Sequence, residues 1–387
     1  MSVRTFVLNV TAPPSGVPSY VPATPYQVAA LSTVANGKPT WLDAVDPVYD
    51  GGTSPRSYSV RNISNFSGGF SDPSRGYLYA HGGGHADSCY NGILRFDLNG
   101  SAQAGGWSVV SGSESPIGQI QPGSQTNHIA TLDNKAGSIH SYDNMVFDAV
   151  SNTMYRFGGS YWDKGSAPGN DANWKFDFNA GQWTRLGAMA SGFNVDYANV
   201  YDPTTRKAMI WRGSESAQFY RTATETNGNT FTPPAGTYDG VGAYDPTRNR
   251  VLHMTNGVLR HTTVDWSAES ITGWVPFTAS GDTATLLDEG FAIFYDALLD
   301  RFWFLGARRV VIDRIYWINA ADFSDNSVTV YSQAFALGGV TTIPAQPSSP
   351  GLFQGFYKRF CYMPTWRAVA VATTYNYPVH VIKLPSA

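Results

Sequence analysis

Six times along the chain an apolar run breaks at a short polar turn and resumes as a second apolar run. The segments are GGFSDPSRGYLYAHGG (68–83), NMVFDAVSNTMYRFGG (144–159), ANVYDPTTRKAMIWRG (198–213), VGAYDPTRNRVLHMTNG (241–257), AIFYDALLDRFWFLGA (292–307) and KRFCYMPTWRAVAVAT (358–373). Aromatic and β-branched residues flank each break, which is the pattern of a β-hairpin. Five turns open on aspartate, at Asp72, Asp148, Asp202, Asp245 and Asp296, and the sixth has Met363 and Pro364 instead. An aspartate caps the backbone two residues on, and a following proline presets φ for the first corner. The turns recur every 43 to 76 residues, which fits a repeat of about 40–45 residues carrying insertions of unequal length.

A second half of the unit follows the first two hairpins. ILRFDL (93–98) and WSVV (107–110) come after the first, and WKFDF (174–178) and WTRL (183–186) after the second. Gly83 and Gly159 each stand 24 residues before a tryptophan, Trp107 and Trp183. Paired glycines ending the second strand, an aromatic–Asp pair in the third and a Trp opening the fourth resemble the kelch repeat. Glycine permits close backbone approach, and the indole fills the wedge between blades. Later copies keep the pattern in part. The resemblance implies an all-β, six-bladed kelch-like β-propeller, with seven blades as the alternative count. A β-sandwich with coincidental turns is the competing architecture, but six equivalent hairpins exceed its need.

The last copy runs out one strand short, so the N-terminal region is expected to supply the closing strand and remove an open sheet edge. VRTFVLNV (3–10) and RSYSVRNI (56–63) are the candidates. APPSGVPSYVPATP (12–25) reads as an extended arm, able to wrap the ring or reach another subunit, and YQVAALSTV (26–34) as a short helix. The expected division is a Pro-rich arm over 1–55 and one propeller domain over 56–387.

Composition narrows the partners. Aromatic and charged residues each make up 14% of the chain, and the net charge is −3, so no basic surface calls for nucleic acid. No apolar run of membrane-spanning length occurs, and the start MSVRTFVLNVTAPPSG lacks the apolar core of a classical signal peptide. Cys89 and Cys361 belong to different repeats and read as free core thiols. No cofactor is called for. A Zn²⁺ on His81, His85 and Asp87 would require the loop to curl back, and no metal site is assigned.

Propellers bind ligands where inter-blade loops converge on the central channel, and the residues five to eight places before each turn aspartate are the first to inspect. Copy two offers His140, Ser141, Tyr142 and Asp143; copy three Asn194, Asp196 and Tyr197; copy four Tyr238 and Asp239; copy five Asp288 and Glu289. The motif HGGGHADSCYNG (81–92) adds His85 and Asp87, as a proton-transfer pair or as pins for a blade-to-blade loop. Arg156 and Arg212 end second strands, where arginine suits a carboxylate ligand or an ordinary turn. The ligand-binding set is therefore His85, Asp87, Tyr142, Asp196, Tyr238, Asp239 and Glu289.

Two functional readings follow from resemblance. Propeller polysaccharide lyases use His and Tyr for proton transfer and Arg to neutralise a uronate, which would assign His140, Tyr197 and Arg212 to β-elimination. The residue set of galactose oxidase, a copper radical enzyme, has no equivalent. A GGGHAD-type motif with a Pro-rich leading arm resembles phage-encoded propellers. This implies an interaction or structural component of a virion, in tail or decoration, that touches host glycan and contacts other virion subunits through the arm. The interaction propeller ranks first and the lyase is the alternative. The expected location is the virion or the extracellular space without a classical signal peptide, with the cytoplasm as the alternative.

Overall fold

The computed structural model of the chain describes residues 16–31, 45–46, 56–57, 68–82, 92–99, 107–111, 136–137, 139–161, 169–170, 172–189, 198–213, 215–235, 240–255, 257–283, 291–306, 311–336, 340–344, 355–373 and 378–387. Among these, six antiparallel sheets form the blades of a β-propeller. Each sequence hairpin supplies the two innermost strands of one blade. Blade I uses Gly68–Asp72 and Tyr77–His81, then Ile93–Asp97 and Trp107–Ser111. Blade II uses Met145–Asp148, Thr153–Arg156, Trp174–Asp177 and Gln182–Arg185. Blade III runs through Ala198–Asp202, Lys207–Arg212, Ser216–Arg221 and Thr226–Thr230, and blade IV through Val241–Asp245, Arg250–Thr255 and Val258–Asp265. Blade V, Ala292–Asp296, Arg301–Leu305, Arg314–Asn319 and Ser327–Ala334, gains a fifth strand, Thr278–Gly281, lying parallel on its outer edge.

Blade VI holds Phe360–Met363, Ala368–Val371 and His380–Lys383, and its outermost strand is Val28–Ala30. The N-terminal region therefore closes the ring as expected, but with a different segment. The stretch read as a short helix is extended, with Val28 opposite Ile382 and Ala30 opposite His380. Buried Val28 and Leu31 keep the i, i+3 spacing that suggests a helix, but the backbone bonds run to the last strand, from Tyr26 N to Lys383 O at 2.7 Å and from Leu31 N to Val379 O at 2.8 Å. Arg56–Ser57 pairs instead with Val45–Asp46, and 3–10 lies outside the described residues. Because Val28 is 1% exposed within the core of blades V and VI, Val28→Asp would bury an unpaired carboxylate at the closure. It is expected to cost about 3–5 kcal/mol; an unchanged urea midpoint would mean that this strand does not hold the ring shut.

One turn geometry repeats around the ring. The buried aspartates accept the N–H two residues on, at 3.1 Å in Ser74, 3.0 Å in Val150, 3.1 Å in Thr204, 2.8 Å in Thr247 and 3.1 Å in Leu298. Four residues after each turn-opening residue the backbone is left-handed, at Gly76, Asn152, Arg206, Asn249, Asp300 and Arg367, with φ between 49° and 68°. Only Gly76 adopts that conformation freely. Aromatic packing joins neighbours, as where Phe70 of blade I stands 6.0 Å from Phe147 of blade II and Phe294 stacks on Tyr362 at 4.6 Å. Cys361 is a free, fully buried thiol, and Cys89 lies outside the described residues.

Candidate functional site

The inner strands end at the Asp turns, and there they surround a cavity of about 1120 Å³ on the propeller axis. Strand alternation sends the residue before each turn-opening residue toward this space. That residue is Ser71, Phe147, Tyr201, Tyr244, Tyr295 or Tyr362, and all six line the cavity. The hydroxyls are tied at the turns: Tyr244 donates to Asn249 Oδ1, Tyr295 to Asp300 Oδ1 and Tyr362 to Asp296 Oδ1, each at 2.7 Å, while Tyr201 lies 3.3 Å from Thr222 Oγ1. Burial pushes these four phenols up, to about 12 at Tyr244 and Tyr295, so all remain protonated. With the hydroxyls held there, the walls offer mainly ring carbon to the cavity. Pro73, Pro203, Pro246, Ala297 and Pro364 form its rim. The next turn residues, Val150 and Leu298, are exposed.

The floor is polar and is built by a segment that crosses the axis. Residues 141–144 leave blade II, where Asp143 meets three other blades. Its carboxylate accepts from Asn199 N at 3.4 Å (blade III) and Gly242 N at 3.3 Å (blade IV), and pairs with Lys358 Nζ at 3.0 Å (blade VI). Lys358 donates also to Asn199 O at 2.8 Å and Asn199 Oδ1 at 2.6 Å, which occupies all three of its N–H donors. Desolvation pushes Asp143 up to about 6, although Lys358 pulls it back, and burial lowers Lys358 despite its partner. Tyr142 (φ 40°), Tyr357 (φ 40°) and Lys358 (φ 63°) are all left-handed here, a concentration of strain that a rigid surround must hold. Close approach demands glycine at Gly68, where a Cβ would run into the Tyr142 carbonyl.

Of the residues expected to act, His140 and Arg212 lie away from the turn end of the inner strands. His140 is 1% exposed, in the two-residue strand Ile139–His140 opposite Ser160, with Nδ1 3.4 Å from Tyr142 Oη. The Tyr142 ring stands 5.5 Å from that of Tyr357, so Tyr142 belongs to the axial floor. Arg212 is nearly buried at the end of a blade III strand and pairs with Glu215. Tyr197, His85, Asp87, Asp196, Tyr238, Asp239 and Glu289 lie outside the described residues. His81 is buried with both ring nitrogens engaged. Nδ1 meets Gly92 O at 3.1 Å and Nε2 faces Arg156 Nη1 at 2.9 Å, which fixes a neutral ring with the proton on Nδ1. The Arg156 guanidinium thus occupies the Nε2 side of the ring. Among the described residues no group of three His, Cys, Asp or Glu is placed to hold a metal, and no helix is long and apolar enough to cross a membrane.

Sequence reasoning missed the tyrosine ring, Asn199 and Lys358. The rings were visible as the aromatic directly before the turn in Phe147-Asp148, Tyr201-Asp202, Tyr244-Asp245, Tyr295-Asp296 and Tyr362-Met363. No such signal marked Lys358, whose role arises from blades 159 residues apart meeting at the axis. No protein-family model matches the chain, and no curated protein matches it.

Proposed function

We propose that this chain is a recognition propeller, a binding protein whose ligand enters the axial cup from the turn face. The observation that carries this reading is the ring of aromatic side chains, contributed by five different blades, with ring carbon facing an open cavity inside an apolar rim. Such walls stack on flat apolar surfaces, the face of a pyranose ring among them. The titratable pair at the floor, Asp143 with Lys358, is tied into an ion pair and backbone bonds, which favours a binding role over proton transfer. The glycan-contacting virion component remains the setting that best suits a rigid, pre-formed cup.

The blades are read as kelch-type, on the strength of left-handed Gly158 and Gly159 after the second strand of blade II and of Trp183 packed against Trp174. An immobilised-glycan screen tests the function. Binding found with the wild-type chain is expected to fall about tenfold or more in Phe147→Ala/Tyr295→Ala, since removing aromatic anchors costs more than about 1.4 kcal/mol. Binding that survives the loss of both rings would place recognition elsewhere on the surface. Release of an unsaturated product from uronate polysaccharides would overturn the non-catalytic reading.

A further inference from the structure

Guanidinium groups neutralise the turns at four of the six blade junctions. Arg75 joins Asp72 to Asn152 between blades I and II. Between II and III, Arg206 donates through Nε and Nη2 to Asp148 Oδ2, at 3.0 and 2.6 Å. Arg248 bridges Asp245 and Asp300 between IV and V, at 2.9 and 2.6 Å. Between V and VI, Arg367 grips both oxygens of Asp296 at 2.8 Å and donates to Tyr362 Oη at 2.7 Å. These arginines come from two equivalent places, three residues after the aspartate in the same blade or at the left-handed position of the next blade.

At the junction of blades III and IV both places are empty of arginine. Thr205 stands at the first and Asn249 at the second. Asp202 keeps its turn bonds, from Thr204 N at 3.1 Å, Thr205 N at 3.0 Å and Thr205 Oγ1 at 2.6 Å. Among the described residues, it alone of the five turn aspartates has no cationic partner. Asp202 is 3% exposed as a residue, so its charge is poorly solvated. The residue is nevertheless part of the lining of the axial cavity, together with Tyr201 and Tyr244. At the V–VI junction the corresponding space is filled by the Arg367 guanidinium against Tyr362.

We propose that the Asp202 side of the cup is a subsite for a guanidinium supplied from outside the chain, on a small molecule or on an arginine of a partner. The cation completes Asp202 as Arg206 completes Asp148 and Arg367 completes Asp296. The Tyr201 and Tyr244 rings add stacking and cation–π attraction that an ammonium matches less well, and the paired oxygens suit the planar fork. The proposal rests on the cup being the recognition site, and it names the chemistry of one wall.

Calorimetric titration with agmatine and with the blocked tripeptide Gly-Arg-Gly tests it, on the wild-type chain and on two variants. Saturable binding is expected, weakened about tenfold or more in Asp202→Asn. Asn249→Arg, which restores the arginine of the other junctions, is expected to raise Tm and abolish the binding. That variant keeps the test sharp should Asp202→Asn fold poorly. Binding of the tripeptide alone assigns the subsite to a partner's arginine, and binding of agmatine assigns it to a free guanidine. No saturable binding of either probe, or equal binding by Asn249→Arg, overturns the proposal. Guanidinium binding that persists when no glycan is bound separates this subsite from the wider glycan reading.

Discussion

Lys358→Met is expected to destabilise the protein by about 3–5 kcal/mol at pH 7, because it leaves the Asp143 carboxylate buried on the axis without its cation. The figure follows from the side chain's position rather than from the pair's distance. Asp143 is 0% exposed while Lys358 retains 21%, so loss of the lysine strands a charge that water cannot reach. Two backbone N–H groups remain on the carboxylate, and they offset only part of the desolvation. The sign with pH follows. Asp143 already titrates at about 6 with Lys358 present, and removing the cation raises it further. Relative to the wild type, the variant therefore recovers stability as pH falls and the carboxylate takes up a proton. The double variant Lys358→Met/Asp143→Asn removes the stranded charge and is expected to regain most of the loss. Urea unfolding at pH 7 and pH 5 reads both effects. A loss under about 1 kcal/mol for the single variant would mean that the pair is solvated and that the floor of the cup is open.

The floor shows where reading the chain alone stops. Hairpins and turn aspartates are local, and their period-2 pattern and Asx chemistry carried through to the blades intact. Ring closure was inferred from a missing strand, which is a count, whereas its identity depended on which segment could lay Val28 into the core of blades V and VI. The local sequence of 26–34 suggests a helix, and its extended pairing with the last strand is set by tertiary packing. For the site, attention went to the start of the inner strands, where polar residues cluster in sequence. Of those that are described, His140 and Arg212 are buried or locally paired and Tyr142 and Asp143 belong to the floor, while the open cavity lies beyond them at the turn end of the strands. There the signal was an aromatic repeated once per blade, legible only after the hairpins are aligned on their turns. Lys358 and Asn199 had no local signature at all, since their meaning lies in a contact across the axis.

Acid is expected to unfold the protein steeply, starting below pH 6.5, through imidazoles that the fold holds neutral. Burial lowers His81 and His253 to about 3, with Arg156 and Arg260 adding repulsion, and burial lowers His380 to about 4. The hydrogen bonds agree. His81 Nε2 accepts from Arg156, and His253 Nδ1 accepts from Trp211 Nε1 at 3.2 Å, so protonation would set a proton against a donor at each. In all three the folded pKa lies below the unfolded value near 6.5. The unfolded chain then binds about three more protons between roughly pH 6.5 and 4, and stability falls with pH there. Asp143 acts the other way, since its folded pKa of about 6 exceeds the unfolded one, so between about pH 6 and 4 it restores one proton to the folded side. The net difference of about two protons corresponds to about 3 kcal/mol per pH unit. That is a large share of a typical stability of about 5–15 kcal/mol. Below about pH 4.5 Glu269 continues the decline; burial opposes its ionisation, but Arg221 and Lys207 hold it down at about 2, and that stabilisation is lost as it protonates. Urea midpoints taken at half-unit steps from pH 8 to 4 give the slope directly. A plateau down to about pH 6.5 followed by a two-proton slope is the expected profile, with the slope lessened by about one proton in His253→Gln. Stability that stays flat between pH 6 and 4.5 would mean that these rings are solvated and that the blades pack far more loosely than their burial implies.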